Sequence, residues 1–271
     1  ILYCEEQFLK GKNVRPQFPG RNVGLMFGLE SSLHPFIGHP SYKEISHLPL
    51  NERLSIMRDP AFKQKILNES PSFREDLQKA AKEQKSNKTK EEIKAEAEIG
   101  KKLISNYETQ FILSDPPNYE PTREDSIAYL AEQRNQSEEE VIYDELIKDD
   151  GKSLIYACFT PYENHKLKFV ETFYKLKSSV AGGSDGGAHC GLICDASMPT
   201  TNLSHWARDR SAGNKIPLEL IIRKQTKDTA ETYGLFDRGE IKTGMIADIN
   251  IIDFEKLNVS LPKMIFDLPK G

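Results

Sequence analysis

The side chains best placed to do chemistry crowd into one stretch, Val180-Ala-Gly-Gly-Ser-Asp-Gly-Gly-Ala-His189. Asp185 stands between two glycine pairs, Gly182-Gly183 and Gly186-Gly187. Such a carboxylate can bind a metal, orient a water, or act as general base and then as general acid. The competing role is a plain one: Asp often caps the turn that follows it through its own side chain. The glycines permit positive φ and let a ligand come close to the backbone. His189 lies four residues on and can hydrogen-bond a developing oxyanion or a substrate carbonyl, or be structural. Asp195 either orients that imidazole or begins the next turn. Arg208 and Arg210 follow closely, with planar forks suited to a carboxylate; for Arg210 a salt bridge with Asp209, Asp228 or Asp237 is the favoured alternative. Asp185 is therefore the candidate catalytic residue, with Ser184, His189 and Arg208 as candidate substrate contacts.

Other reactive residues carry less. Cys190 and Cys194 are separated by three residues, and no second cysteine pair completes a tetrahedral zinc site, so buried thiols are the better reading. His34, His39 and His47 form no i, i+4 pair, and Pro35 and Pro40 interrupt them, which argues against a metal cluster. The glycine pairs lack the Lys-Ser or Lys-Thr of a nucleotide-binding loop. No metal ligand is assigned within the chain.

The elements around this stretch follow from apolar spacing and punctuation. Lys166 to Lys177 has Leu167, Val170, Phe173 and Tyr174 at helical spacing and feeds a short strand ending at the glycines. A helix leading into such a strand is how α/β barrels present catalytic groups at strand C-termini. Val14 to Phe18 is a strand candidate closed by Pro19-Gly20, and Leu154 to Phe159 a buried one. Helices are expected over Ser41 to Ile45, Leu50 to Arg58 and Phe62 to Leu67, the last with Pro60 in its first turn. Ser70 to Asn106, rich in Lys, Glu, Gln and Ala, reads as a solvated helical face. Gln110 to Ser114 is a further strand candidate. Thr122 caps a helix through Gln133, and Ser137-Glu-Glu-Glu140 makes a capping box for the next. Asn202 to Ala212 is expected to be helical around Trp206. Pro217 to Tyr233 reads as one helix burying Leu218, Leu220, Ile221, Ile222, Thr226 and Ala230, with Gly234 closing it. Beyond 235 the character changes, and Ile246 to Asp253 predicts a β-branched strand in a small β module.

Size and charge limit the function classes. The chain has 271 residues, 38% of them hydrophobic, enough for one substantial core and part of a second. A formal net charge of -4 argues against a nucleic-acid or membrane-surface binder. No apolar run approaches the roughly 20 residues of a bilayer span, and no secretory signal is visible. Four cysteines do not make a disulfide scaffold. A cytoplasmic location is the expectation.

The tail Gly239-x-Ile-x-x-Gly-x-x-Ala-Asp-Ile-x-Ile-x-Asp253, together with Ser184-Asp185-Gly186, resembles the metal-dependent amidohydrolase superfamily. Four blocks are similar to its N-acyl-D-amino-acid deacylase (D-aminoacylase) branch. They are Gly28-Leu-Glu-Ser-Ser-Leu-His-Pro-Phe36, Leu48-Pro-Leu-x-Glu-Arg-Leu54 with Arg58-Asp-Pro60, Asp115-Pro-Pro-x-Tyr-Glu-Pro121, and Ser184-Asp-Gly-Gly-Ala-His189 through Arg210. The resemblance implies an α/β fold: the C-terminal part of a (β/α)8 TIM-like barrel over 1–234, with a helical excursion about 40–150. Strands of a small β-sandwich over 235–271 would follow. It implies hydrolysis of N-acyl-D-amino acids, with zinc as cofactor and Asp185 at the family's strand-8 aspartate. The zinc-binding histidines and cysteine of the family have no counterpart in 1–271, so the ligands are expected upstream and the piece alone is expected to be inactive and poorly stable. Cyclic-amide hydrolysis, as in hydantoinase or dihydroorotase relatives, is the alternative within the superfamily, and a metal-free scaffold the alternative outside catalysis. The partner is a small molecule; preferred side chain and oligomeric state stay open.

Overall fold

A computed structural model describes residues 1–72, 89–160, 162, 164–184, 186–187 and 189–267. The organising pair is β1 (Gln17–Pro19) and β5 (Val180–Gly182), which run parallel with Gln17 opposite Val180 and Pro19 opposite Gly182. Parallel neighbours need a crossover connection, and its last part is helix α8 (Lys168–Lys175). Val170, Phe173 and Tyr174, at i, i+3 and i+4, form the buried stripe of α8. They pack with Phe18, Leu167, Trp206, Ile216 and Ile221 into a core of their own. Helix α1 (Leu2–Leu9) joins this part through Glu5, whose carboxylate accepts from the Lys177 and Ser178 amides just before β5.

Between β1 and α8 the chain makes a long excursion with its own sheet. Strand β4 (Ile155–Thr160) lies between β2 (Val23–Phe27) and β3 (Gln110–Ile112), antiparallel to both. Both faces of this sheet are covered, and the period-2 alternation of strands divides its side chains between them. Leu25, Phe27, Ile155 and Ala157 face the helices; Met26, Phe111, Tyr156 and Cys158 face the other way, toward Tyr119, Val259 and Leu261. The helical layer is α2 (Pro40–Ile45), α3 (Leu50–Met57), α4 (Pro60–Leu67), α5 (Lys90–Ser105), α6 (Ile127–Arg134) and α7 (Glu138–Leu146). Asp59 caps α4 by accepting from the Ala61 amide, and Ser137 caps α7 by accepting from that of Glu140. Residues 73–88 of the expected 70–106 helical face lie outside the described residues; α5 falls within the rest, opened by a Thr89–Glu92 capping box.

After β5 come the short helix α9 (Met198–Thr201), a π-helix (Asn202–Asp209), α10 (Leu218–Gln225) and α11 (Lys227–Thr232). The single helix expected over 217–233 is broken at Thr226, at φ -120° and ψ -86°. The break turns Lys224 and Asp228 inward, 1% and 3% exposed, while Ile222 faces out. The Lys224 ammonium donates to the carbonyls of Leu176 and Ser179, at the entrance to β5. The helix expected to be capped by Thr122 begins instead at Ile127, capped by Ser126, after a 3-10 turn over Arg123–Asp125 that takes the Thr122 cap.

The chain is a mixed α/β protein whose parallel β1–β5 pair is consistent with a TIM-barrel-type fold. One expectation requires correction. No strand forms among the described residues of 235–267: Ile246 to Asp253 finds no sheet edge to pair with, and Ile249 and Ile251 stay exposed. A strand takes its stability from a hydrogen-bonded neighbour, and the pattern of side chains cannot supply one. Among the described residues no helix is long and apolar enough to cross a membrane.

Candidate active site

Because β1 and β5 are parallel and in register, their C-terminal ends open on the same side, which is where α/β folds place ligands. Beyond β5 the chain turns at Gly183, at φ +88°. A Cβ there would stand 2.8 Å from the Met198 sulfur and 3.2 Å from the Pro19 Cβ, so only glycine lets this turn press against the end of β1. The turn leaves Ser184 exposed. Asp185 lies outside the described residues. His189 is exposed and left-handed at φ +53°, and its carbonyl accepts from the amides of Leu192 and Ile193. The returning chain then docks on the excursion, where the Met26 amide donates to the Leu192 carbonyl and that of Ser32 to the Gly191 carbonyl.

The return is fastened by Arg21, two residues past β1 and fully buried. Its Nη2 donates to the Cys194 carbonyl at 2.7 Å, and to Asp195 Oδ1 and Ser197 Oγ at 3.2 Å each. Asp195 thus pairs with Arg21, and its carbonyl accepts from the Met198 amide, starting the turn into α9. The Arg21 guanidinium lies 3.5 Å from the ring centroid of Tyr119, in the Asp115–Pro121 loop. The next residue of that loop, Glu120, reaches a second buried arginine. Arg210 donates from Nε to Oε2 and from Nη2 to Oε1, both at 2.9 Å, and His205 Nε2 stands 2.8 Å from Oε2. The Leu167 amide adds a fourth contact at 3.1 Å. Burial pushes the Glu120 carboxyl up, but the hydrogen bonds from His205 and Arg210 outweigh it and hold the group down at about 2.

The π-helix carries His205, Trp206 and Arg208, and π segments recur at functional sites because they re-aim side chains. Trp206 is fully buried and donates from its indole to the Gly20 carbonyl, at the end of β1. Arg208 turns the other way. Its Nε and Nη2 donate to the Asp209 carboxylate, and its remaining donors reach the carbonyls of Phe254, Glu255 and Leu257. The structure therefore sets Ser184 and His189 on one exposed loop beyond β5 and commits the Arg208 guanidinium to the tail.

The remaining sequence candidates resolve individually. Cys190 is exposed and Cys194 half-buried, which corrects the reading of both as buried thiols: the surrounding glycines offer Cys190 no apolar cover. Cys158 is the buried one, and burial pushes its thiol far up. His34 is buried with its Nδ1 accepting from the Phe36 amide, and burial, then Arg53 and His39, lower it to about 3. Among the described residues no group of three or more His, Cys, Asp or Glu could hold a metal ion, so they do not fit the zinc that the resemblance implies. Arg21, Tyr119, Glu120 and His205 were not singled out as site residues; the position of Arg21 just after a strand closed by Pro19-Gly20 was the available signal.

No curated protein matches the chain, and no solved structure does. Residues 168–265, from α8 through the glycine turn and the π-helix into the tail, match the model of the amidohydrolase family. The similarity to that family lies in this stretch, which holds β5, the Gly183 turn, Ser184, His189 and Arg208.

Proposed function

We propose that the protein hydrolyses the amide of N-acyl-D-amino acids and that Asp185 moves the proton. The family match over 168–265 supports the hydrolase; the block similarities at 28–36, 48–60 and 115–121 support the D-aminoacylase reading. The observation that carries the site is the parallel, in-register end of β1 and β5, with the Gly183 turn opening onto Ser184 beside it. In this reading the Asp185 carboxylate takes a proton from water as the water oxygen bonds to the amide carbon. The tetrahedral intermediate collapses with cleavage of the C–N bond, and Asp185 delivers the proton to the departing nitrogen. A carboxylate and a free D-amino acid result.

Ser184 and His189 stand on the same loop and are assigned to the acyl oxygen and the substrate polar groups. Arg208 is assigned to the substrate carboxylate, a role that requires it to exchange tail carbonyls for the ligand. Zinc, the cofactor that the resemblance implies, belongs to this reading, and the described residues do not by themselves supply a ligand set for it. Assay of the full protein against N-acetyl-D-amino acids and against hydantoins, with Asp185→Asn in parallel, tests the reading. Asp185→Asn is expected to lose about 100-fold or more in kcat. Wild-type turnover by that variant, or turnover of hydantoins alone, would remove it.

A further inference from the structure

We infer that residues 245–253 form the interface of a homodimer, in which the stretch pairs antiparallel with the same stretch of a second copy about Ile249.

Met245-Ile-Ala-Asp-Ile-Asn-Ile-Ile-Asp253 has the β-branched composition of a strand and is held at both ends. At its start the Ile246 amide donates to the Asp237 carbonyl at 2.8 Å. At its end the Asp253 carbonyl accepts from the Lys256 amide, and the Arg208 guanidinium holds the carbonyls of Phe254 and Glu255. Between these fastenings, no hydrogen bond among the described residues engages the amides or carbonyls of 247–252. Ile249 is 61% exposed and Ile251 98%, with Ile246 and Ile252 at 42% and 46%. Open strand edges in natural proteins usually carry lysine, proline or a bulge that discourages pairing. No lysine, arginine or proline stands in 245–253.

The order of the residues selects a second copy as the occupant. Residues opposite each other across an antiparallel pair share a face, so the register decides which side chains meet. With Ile249 opposite itself, Ile246 meets Ile252, Ala247 meets Ile251 and Asp248 meets Asn250, each pair occurring twice by symmetry. Asp253 falls at the end of the ladder, opposite Met245. No carboxylate then faces another, and each Asp248 meets an amide that can donate to it. Sliding the register by two residues in one sense sets Asp248 against its own copy, where like charges repel. Sliding it in the other sense sets Asp248 against Ile252. The stretch is therefore self-complementary in one register, as a two-fold, isologous contact requires.

Sedimentation velocity of the chain through the micromolar range tests the inference. The mass should rise from one copy toward two, and hydrogen exchange at 247–252 should slow in step with it. Ile249→Lys brings two ammonium groups together at the dyad and should keep the chain monomeric. Asn250→Asp sets a carboxylate opposite Asp248 at both symmetric positions and should weaken the dimer by about tenfold. Asn250→Lys sets an opposite charge there and should tighten it. The same two substitutions at exposed Asn258 change the net charge equally outside the stretch and should leave the dimer as it is. All three positions are exposed, so the melting temperature should stay within about 2 °C of wild type. A chain that stays monomeric, a dimer that survives Ile249→Lys, or a mass that grows past two copies overturns the proposal. Asn250 variants that behave as the Asn258 variants do overturn it as well.

Discussion

Glu120 and Arg210 meet fork to fork, with both N–H···O distances at 2.9 Å and the two side chains 1% and 2% exposed. The pair ties the Asp115–Pro121 loop to the chain just beyond the π-helix, one residue from where Tyr119 lies under Arg21. Glu120 sits at about 2 in the folded protein against an ordinary 4.5, because the hydrogen bonds from His205 and Arg210 overcome its burial. A depressed carboxylate contributes stability that is complete above the unfolded value and is lost as pH falls through the folded one. The contribution should therefore fade between pH 4.5 and 2, by about 1.4 kcal/mol per unit. Glu120→Gln removes the buried carboxylate and leaves Arg210 with Glu171 alone, 3.2 Å from Nη1; it should cost about 3 kcal/mol at pH 7. Urea unfolding at pH 7 and pH 3 checks both; an unaltered acid dependence in the variant would show that Glu120 is not the titrating group.

His34 acts in the same direction over a higher window. It is 1% exposed and lies edge-on to Tyr42, with ring centroids 4.5 Å apart. Burial, then Arg53 and His39, lower it from 6.5 to about 3. The folded state therefore refuses a proton that the unfolded chain accepts. This contribution is complete above pH 6.5 and is lost as pH falls toward 3, again at about 1.4 kcal/mol per unit. His34→Asn keeps an acceptor for the Phe36 amide and removes the titration. Stability of that variant between pH 6.5 and 4 should fall less steeply than wild type, by one bound proton. Equal slopes would assign the acid sensitivity elsewhere.

These two groups also mark what could be read from the residues and what could not. Strand β4, helix α8, the Pro60 start of α4 and the Ser137 cap are local features, carried by spacing and by side chains a few residues apart. The Gly183 turn was visible as a glycine cluster because positive φ is a property of one residue. The antiparallel pairing of β4 with β2 and β3 was not, since both faces of that sheet are covered and its strands show no clean alternation of apolar and polar residues. The Arg21 and Glu120 contacts join residues 174 and 90 positions apart, respectively. The tail failed in the opposite sense: Ile246 to Asp253 has the composition of a strand, but composition cannot provide the partner. Spacing places a helix around Trp206, while its π geometry depends on tertiary contacts such as the bond from the indole to the Gly20 carbonyl.

Gly20 and Asn202 define the tightest approach at the end of β1. A methyl on Gly20 would fall 1.6 Å from Asn202 Oδ1 and 2.4 Å from its Cγ. Asn202 is 2% exposed and has little room to swing away. Gly20 is not at positive φ, so the clash is steric and owes nothing to backbone strain. Gly20→Ala should cost about 1–3 kcal/mol, and Asn202→Ala in the same chain should restore most of it. A double-mutant cycle by chemical denaturation should give a coupling of about 1–2 kcal/mol. Additive losses would mean that Asn202 is not the obstacle.

Arg208 supplies the last test, because it is committed to the tail while its fork is suited to a carboxylate. Its guanidinium gathers three carbonyls, those of Phe254, Glu255 and Leu257, beside the Phe254 ring. The chain then runs on to Val259 and Leu261, which pack against the underside of the excursion sheet. With no regular secondary structure in this stretch, Arg208 is the main polar fastening between the π-helix and the tail. Arg208→Ala should raise hydrogen exchange at residues 255–261 by about tenfold or more, with little change in α8 or β4. Arg208→Lys, able to reach one or two carbonyls as a point charge, should fall between. If exchange in the tail is unmoved while KM for N-acyl-D-amino acids rises, Arg208 serves the substrate and not the tail. If exchange rises and KM stays constant, the proposed contact between Arg208 and the substrate carboxylate is the part to discard.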